Sequence, residues 1–362
     1  MRPIQAKGNL RRVLSAVFWM AAVLLAGCGV PGEPLPPLLE IPERATDLSA
    51  MQVGSRLQLA WSPPRLTTEG TRVRRLDRLE IYGVFLPQGT ALTSFSESSR
   101  LLATLGTDAI PAGQQRIVYE LPLTAGQLRQ TAFFAVKAIN NNDRDAGFSN
   151  VAQVEIVDLP AAPLDLQATL TESAIHLDWQ APPLSAFGGP APQPDGYRVY
   201  RTEAGSPQPG SPAASQTEIM LGTTVSAAYQ DSTFEFGHNY VYTVRAFAGQ
   251  GESAALTPPS NSVEVAAVDR FPPASPQNVR AVAVPGAVDL VWSPNSEADL
   301  AGYNVYRREG EASVELNLGL LPAPLFHDPS PTPGARYLYR VTAVDGNGNE
   351  SAASQDAVVT AE

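Results

Sequence analysis

One pattern occurs three times between residue 43 and the last residue of this chain, and this repetition constrains the fold more than any other feature. In each copy an apolar residue precedes a tryptophan by thirteen positions, and the tryptophan ends a run in which apolar and polar residues alternate. An alternation with a period of two indicates a strand with one buried face. We therefore predict one core tryptophan in each repeat, in the pairs Leu48 with Trp61, Leu166 with Trp179, and Val279 with Trp292.

Further strands follow each tryptophan. The next strand carries Tyr-x-Val-Tyr or a close variant and ends at Tyr82, Tyr200 or Tyr306. A long alternating strand lies beyond a glycine, as in Tyr240 to Ala246 and Tyr337 to Ala343. Short strands at regular spacing, separated by Pro, Gly and Asn turns, predict an all-β chain of sandwiches. No segment has the periodicity of an amphipathic helix of useful length.

Together these motifs resemble the fibronectin type III domain, an immunoglobulin-like β-sandwich. The resemblance covers most of residues 43–362 in three tandem copies. It implies a structural tyrosine, the tyrosine corner, whose hydroxyl bonds back to the main chain, at Tyr240 and Tyr337. The first copy has Ala132 at that position and an irregular stretch from Leu86 to Ile117, so it is the divergent copy. No cysteine pair is present in the repeats, which argues against antibody-type domains.

The N-terminus carries the only cysteine of the chain, Cys28. Basic residues and an apolar run from Val13 to Leu25 precede it, which indicates a secretory signal peptide that is too short for an ordinary membrane span. Small residues at 26 and 27 followed by cysteine resemble the lipobox of bacterial lipoproteins. That resemblance implies cleavage before Cys28 and acylation with fatty acids such as palmitate, while Gly29 in place of aspartate favours the outer membrane over the inner membrane. A stray thiol in an ordinary signal peptide is the alternative.

The predicted organisation has five segments. A signal peptide occupies residues 1–27, and a lipidated cysteine with a proline-rich tether occupies residues 28–42. Fibronectin type III-like domains follow over residues 43–158, 161–268 and 274–362. Each domain, of 89 to 116 residues by these bounds, is long enough to bury its own core. Proline-rich linkers restrict bending, so we expect an elongated rod.

Charge argues against several classes of partner. The formal net charge of the chain is -11, and without residues 1–27 there are 21 basic against 36 acidic residues, a net charge of -15. Such an acidic chain has no electrostatic reason to bind nucleic acid. Anionic lipids would repel it, so a lipid anchor would be its attachment to a membrane.

Candidate chemistry is sparse. The three histidines, His176, His238 and His327, belong to different strands or turns, and no Gly-x-Ser-x-Gly motif accompanies them. We therefore predict no catalytic residue, metal ligand or cofactor. The segment from Asp345 to Glu350 has oxygen ligands at alternate positions. A hairpin turn is the preferred interpretation there, and a calcium loop is the alternative.

Two features supply candidate binding residues. Phe187, in the proline- and glycine-rich insertion 181–195, is the best candidate for an exposed aromatic ring, although a ring folded back onto its own sandwich is the stronger interpretation. The matching insertion of the first domain carries arginines that would meet an anionic partner or pair with nearby carboxylates. These are Arg72, Arg74, Arg75 and Arg78.

The sequence therefore predicts a non-catalytic binding or spacer module, anchored by lipid in the cell envelope. Its partner would be an envelope protein or a polysaccharide. One alternative is an accessory factor for polysaccharide binding or breakdown, which would expose aromatic residues along one face. The other is a cryptic hydrolase, which would need a convergent histidine, carboxylate and nucleophile.

Overall fold

Strands make up nearly all of the regular structure. The computed structural model describes residues 39–74, 76–106, 116–203, 217–251 and 253–362. Within these ranges there are 22 strands, one short helix and one short 3-10 turn. No helix in this part of the chain is long and apolar enough to cross a membrane. The predicted all-β class is confirmed.

The first unit is a sandwich of two sheets. One sheet pairs β1, β2 and β5, and the other has the order β4-β3-β6-β7. A one-turn helix, α1, and a 3-10 turn at Ala125–Gln127 complete the unit. The elements are β1 Ser49–Val53, β2 Arg56–Trp61, β3 Arg78–Pro87, α1 Phe95–Ser98, β4 Arg100–Gly106, β5 Ile117–Pro122, β6 Gln130–Ile139 and β7 Ala152–Glu155.

The second unit repeats this plan. One sheet has the order β12-β9-β8, and the other has the order β11-β10-β13, with β14 and β15 both paired to β13. The strands are β8 Leu164–Leu170, β9 Ile175–Gln180, β10 Gly196–Glu203, β11 Ile219–Thr224, β12 Ala228–Asp231, β13 Asn239–Ala248, β14 Ala255–Leu256 and β15 Val263–Ala266.

The third unit has sheets in the orders β16-β17-β20 and β19-β18-β21-β22. Its strands are β16 Gln277–Val284, β17 Ala287–Ser293, β18 Leu300–Glu309, β19 Ala312–Glu315, β20 Leu325–Asp328, β21 Arg336–Asp345 and β22 Ala357–Thr360. All three units thus place a sheet of three strands against a sheet of about four, the arrangement of an immunoglobulin-like sandwich.

Each unit has its own hydrophobic core, and the repeated tryptophan lies in it. Trp61, Trp179 and Trp292 are all buried. In the second and third units the indole meets a tyrosine of the facing sheet edge to face, with 5.2 Å between ring centroids in both Trp179–Tyr197 and Trp292–Tyr303. Edge-to-face contacts of this kind favour a specific packing over a merely apolar one. The prediction of one core tryptophan in each repeat is confirmed.

The predicted tyrosine corners are present. The hydroxyl oxygen of Tyr240 accepts the N–H of Glu235 at 3.1 Å, and that of Tyr337 accepts the N–H of Thr332 at 3.0 Å. In the first unit Ala132 lies opposite Phe85 in the pairing of β6 with β3. The Phe85 ring packs edge to face on Phe134, with 5.9 Å between centroids, so an aromatic from the neighbouring strand supplies bulk near the missing tyrosine.

The irregular stretch of the first unit covers the outer face of a sheet. α1 brings Phe95 against Phe148, and Phe148 in turn meets Tyr82 on β3, all with rings edge to face. Beneath this layer the outward-directed Phe133 and Ala135 of β6 are buried. α1 is the only α-helix in the described residues, so this layer is a feature of the first unit.

Candidate functional sites

Cys28, the predicted lipidation site, lies outside the described residues, so the anchor remains a prediction. The described chain begins with residues that are held firmly against the first unit. The side-chain amide of Asn140 donates to the carbonyls of both Leu39 and Glu40 at 3.1 Å, and Glu69 accepts the N–H of Leu39 at 3.1 Å. The chain is therefore bonded to the first unit from Leu39 onward.

The most deeply buried charges form an Arg–Asp–Tyr cluster in the third unit. Asp328, 1% exposed, accepts hydrogen bonds from the Tyr339 hydroxyl at 2.6 Å and from Arg307 Nη1 at 2.8 Å. Ser330 donates to its other oxygen through both its N–H, at 3.0 Å, and its hydroxyl, at 3.1 Å. Burial alone would raise the pKa of Asp328, but the hydrogen bonds from Tyr339, Ser330 and Arg307, with the charge of Arg307, hold it below the usual value.

The second unit repeats the cluster at equivalent positions. Asp231 accepts from the Tyr242 hydroxyl at 2.8 Å, from Arg201 Nη1 at 2.8 Å and from Thr233. Every member of both clusters has a partner, which is what buried charges need to be stable. Both carboxylates are used in full within the cores of their own units, as structural ion pairs are.

In the first unit the same three positions are apolar. Gly83 pairs with Phe134 as Arg307 pairs with Tyr339, and Leu121 pairs with Leu57 as Asp328 pairs with Val288. A Cβ on Gly83 would lie 2.6 Å from Leu102 Cδ1 and 2.9 Å from Phe134 Cδ1, so no arginine fits there. The same three positions therefore form a charged cluster in the second and third units and carry uncharged, apolar residues in the first.

The histidines do not converge on a common site. His327 Nδ1 lies 2.7 Å from Asp289 Oδ1 on the exposed face of its sheet, whereas the adjacent Asp328 points into the core. His238 Nδ1 lies 2.6 Å from Glu203 Oε1. His176 is half-buried on β9. These contacts are local carboxylate pairs within single units.

The described arginines of the first insertion, Arg72, Arg74 and Arg78, do not act together. Arg78 is engaged by Asp77 and Glu80, both at 2.9 Å, and by Asp143 at 2.5 Å, and these carboxylates raise its pKa. Arg74 lies 4.0 Å from Glu40, and Arg72 is exposed. Arg75 lies outside the described residues. Ion pairing with neighbouring carboxylates thus accounts for Arg78, and the described arginines form no single basic patch.

Phe187 is half-buried, and its partner differs from the one expected. The ring packs against the hydrophobic core of the first unit, although the residue belongs to an insertion of the second. The interpretation of a ring folded back onto its own sandwich is therefore wrong. The reason is that the insertion forms a hairpin, residues 183–191, which lies beside the segment that enters the second unit.

The oxygen-rich loop at Asp345 forms a tight turn and also approaches two other carboxylates. Carboxylate oxygens of Asp269, Asp299 and Asp345 lie within 4.8 Å of one another. Asp345 already accepts the N–H groups of Asn347 and Asn349 at 2.9 and 2.8 Å. The amide of Asn347 donates to Asp269 at 2.8 Å. The turn is thus stable through its own donors, while three carboxylates are the donor type that a hard cation such as calcium takes.

One aromatic position recurs on the solvent side of the larger sheet. Tyr82, Tyr200 and Tyr306 are each half-buried on β3, β10 and β18. The hydroxyl of Tyr82 donates to Glu80 and that of Tyr306 donates to Glu350, both at 2.8 Å. Burial together with these hydrogen bonds raises the pKa of each of these two tyrosines to about 12. These tyrosines were not predicted as a site, although the sequence shows one on the third strand of every copy; that strand continues for three to five residues beyond the tyrosine, which was expected to end it.

The strand orders, core tryptophans and tyrosine corners agree with one known architecture. The three units are immunoglobulin-like β-sandwiches, and they resemble fibronectin type III domains. No known protein-family profile matches the chain. Mouse protein sidekick-1 is 28% identical over 255 residues, which are 63% of this chain and 11% of that protein.

Two similar proteins are enzymes by name. The amylopullulanase of Thermoanaerobacterium saccharolyticum is 40% identical over 91 residues, 25% of this chain and 7% of the enzyme. Exoglucanase B of Cellulomonas fimi is 29% identical over 210 residues, 56% of this chain and 16% of the enzyme. The chain thus spans at most 16% of the length of these three relatives. The crystal structure of chicken CNTN1 FN1-FN3 domains is 14% identical, covers 89% of this chain and 100% of that one, and has a TM-score of 0.25.

Proposed function

We propose that this protein is a lipid-anchored component of the cell envelope that acts as a non-catalytic binding or spacer module. The single observation that carries the anchor is Cys28, the only cysteine, placed directly after an apolar run. The outer membrane is favoured because Gly29 follows it in place of aspartate. The three fibronectin type III-like units would then be the part that reaches a protein or polysaccharide of the envelope.

The start of the described chain supports a short, directed tether. Because Leu39 and Glu40 are bonded to Asn140 and Glu69, residues 29–38 are the part left to span from Cys28 to the first unit. Proline is dense there, and an extended polyproline chain rises about 3.1 Å per residue. Eleven residue steps separate Cys28 from Leu39, so a tether with this rise would span about 34 Å.

The non-catalytic part of the proposal is supported by the polar core. The buried carboxylates Asp231 and Asp328 are each satisfied by arginine, tyrosine and hydroxyl donors, and His238 and His327 contact exposed carboxylates of their own units. The segments shared with the amylopullulanase and the exoglucanase are small parts of those enzymes. The likeness is therefore no argument that this chain shares the catalytic activity of those enzymes.

A second candidate function is an accessory role in polysaccharide binding. It is favoured by the tyrosine that recurs on the solvent side of each unit, since a row of aromatic rings is suited to stack on sugars. Against it, Tyr82 and Tyr306 are held by carboxylates of their own units, and the guanidinium of Arg245 lies 5.4 Å from the ring centre of Tyr200. The rings are thus already partly engaged.

The anchor is tested by replacement of Cys28. In a bacterial host, Cys28→Ser should abolish incorporation of labelled palmitate and should stop cleavage before residue 28, because the thiol that carries the lipid is lost. Gly29→Asp is the matched variant, which should keep the label and move the protein from the outer to the inner membrane fraction. Palmitate incorporation that persists in Cys28→Ser would defeat the lipoprotein proposal.

The binding role is tested by recovery of the protein with its partners from envelopes. Cross-linking of the full-length protein in cells, followed by mass spectrometry and glycan analysis, should recover a defined partner. The triple variant Tyr82→Ala, Tyr200→Ala and Tyr306→Ala separates the two candidates. Loss of glycan alone would favour the polysaccharide role, whereas retention of glycan by this variant would count against it.

A further inference from the structure

The junction between the first and second units carries more structure than a linker requires. We infer that a docking hairpin, residues 183–191, locks these two units into one rigid and cooperatively folded body, with Phe187 as its central contact. The inference goes beyond the proposed function and holds whether or not Cys28 is acylated. Two sets of contacts join residues of the two units directly, through Phe187 and through the pairing of β1 with β14. Two further sets fix the segment that connects the units.

The docking hairpin is well formed and is bonded to the entering chain. Ser185 and Gly189 close it through a backbone hydrogen bond of 2.8 Å. On its outer side, the N–H of Ala161 donates to Leu184 at 2.9 Å and the N–H of Ala186 donates to Leu159 at 2.8 Å. Leu159 is fully buried between the units. The segment that leaves the first unit is therefore paired as an added strand and is not a free linker.

Phe187 sits at the tip of this hairpin and packs on the core of the first unit. The following Gly188 has φ +87°, which turns the chain sharply after the ring. A phenylalanine side chain contributes a large apolar area, so its transfer from water to the neighbouring core is a strong term in docking. The contact joins the hydrophobic core of one unit to the backbone of the next.

A sheet also continues across the junction. β1 of the first unit pairs in parallel with β14 of the second at Val53 and Leu256. The N–H of Gly54 donates to the carbonyl of Leu256 at 2.7 Å. A Cβ on Gly54 would lie 2.9 Å from Pro258 Cδ, and its φ is +57°, so this close approach requires glycine.

A buried glutamine fixes the end of the first unit. Gln52 is fully buried, and its amide bonds to both the N–H of Val157, at 3.0 Å, and the carbonyl of Val157, at 2.8 Å. It also donates to Gly54 at 2.9 Å. The side-chain amide thus bonds both the N–H and the carbonyl of Val157, as the backbone of a neighbouring strand would. The chain is thus rigid on both sides of residues 157–161.

Where the structure describes them, the first and third units have no docking hairpin of this kind. In the first unit the equivalent hairpin, residues 65–73, has Glu69 where the docking hairpin has Phe187, and this carboxylate holds the N–H of Leu39. In the third unit 14 positions separate Trp292 from Tyr306, against 21 between Trp179 and Tyr200, and no hairpin occupies the shorter connection.

The inference is tested by distances between spin labels on the full chain in detergent micelles. In a Cys28→Ser background, Thr93→Cys and Thr223→Cys place labels on exposed positions of the first and second units. We expect one narrow distance distribution. Phe187→Ala should broaden it at least twofold, whereas Glu69→Ala, the matched position of the first hairpin, should leave it unchanged. A broad distribution without Phe187→Ala, or a width that Phe187→Ala does not alter, would overturn the inference.

Hydrogen exchange supplies a second measurement that does not depend on labels. The amide of Gly54, which is bonded across the junction, should exchange at least tenfold faster in Phe187→Ala, while amides in the core of β13 keep their protection. General loss of protection in β13 would mean that the variant unfolds. In that case Phe187→Leu, which keeps an apolar side chain, should restore the protection of the β13 amides, while the Gly54 amide still exchanges faster than in the parent protein. An unchanged exchange rate of Gly54 in a folded variant would reject the inference.

Discussion

Replacement of Tyr339 by phenylalanine would measure how much the buried Arg–Asp–Tyr cluster contributes to the third unit. The change deletes one hydroxyl and leaves a fully buried ring in place. That hydroxyl donates to Asp328 at 2.6 Å, and a hydrogen bond to a charged group contributes about 1.5–3 kcal/mol. Asp328 keeps Arg307 and Ser330 as partners, so we place the cost near the lower end, at about 1.5 kcal/mol.

The first unit supplies the reciprocal experiment. Phe134 occupies the position of Tyr339, and the residues at the positions of Asp328 and Arg307 are Leu121 and Gly83. Phe134→Tyr would therefore bury a hydroxyl without an acceptor, which costs about 1–3 kcal/mol. We therefore expect both substitutions, Tyr339→Phe and Phe134→Tyr, to lower the stability of their units. Tyrosine has an acceptor in the third unit, and phenylalanine needs none in the first.

Native-state hydrogen exchange of the full chain would measure the loss of stability separately in the third unit for Tyr339→Phe and in the first unit for Phe134→Tyr. In Tyr339→Phe, the amides of β21 should exchange about tenfold faster, which corresponds to about 1.4 kcal/mol, while β13 in the second unit stays unchanged. In Phe134→Tyr the increase should be confined to the first unit. A change below about threefold in β21 would refute the reasoning, because the hydroxyl would then contribute no more than an exposed polar contact.

Three further predictions follow from the same cores. Folding lowers the pKa of Asp231 and Asp328, so these carboxylates stabilise the folded state above the ordinary carboxyl pKa near 4, and this stabilisation is lost as the pH falls through the folded pKa. Hydrogen exchange measured at decreasing pH should therefore show a loss of stability in the second and third units. An equal loss in the first unit, which lacks both carboxylates, would contradict the prediction. Trp292→Ala should destabilise the third unit by about 3–5 kcal/mol in urea unfolding, since it leaves a cavity, and a loss below about 1 kcal/mol would mean that the ring is not part of the core. Tyr240→Phe and Tyr337→Phe should each cost about 1–3 kcal/mol by the same assay, because the N–H groups of Glu235 and Thr332 lose their acceptor, and neutral results in both would reject the corner as a stabilising bond.

The sequence was sufficient for the features that depend on short-range periodicity. Alternation before Trp61, Trp179 and Trp292 identified the strands and their buried faces, and the structure has all three tryptophans in cores. The resemblance to the fibronectin type III domain implied the corner tyrosines that follow Gly237 and Gly334. These features could be predicted because strand period and turn chemistry are local properties of the chain.

The buried clusters were missed for a different reason. Arg307 and Asp328 are 21 residues apart, and neither their pairing nor their burial is visible in a pattern of alternation. A signal was nevertheless present, because Arg201 and Asp231 recur at the same repeat positions and the first copy has Gly83 and Leu121. A charged residue at an inward position, repeated with its complement, would have indicated an ion pair.

The contacts between units could not be predicted from the repeats. Phe187 was recognised as an unusual aromatic, but its partner lies in another sandwich and depends on how the chain enters the second unit. The grouping of Asp269 with Asp345 likewise joins residues that are 76 positions apart. Local patterns describe each sandwich well and are silent about what lies between two of them.

The layer formed by α1, Phe95 and Phe148 makes the three units unequal as surfaces. In the first unit it overlies the outward side of β3 and β6, where Phe133 and Ala135 are buried. At the corresponding positions the second unit has the half-buried Val241 and Thr243, and the third unit has the half-buried Leu338 and the exposed Arg340. A partner that binds this sheet face in more than one unit would therefore meet equivalent surfaces only on the second and third units.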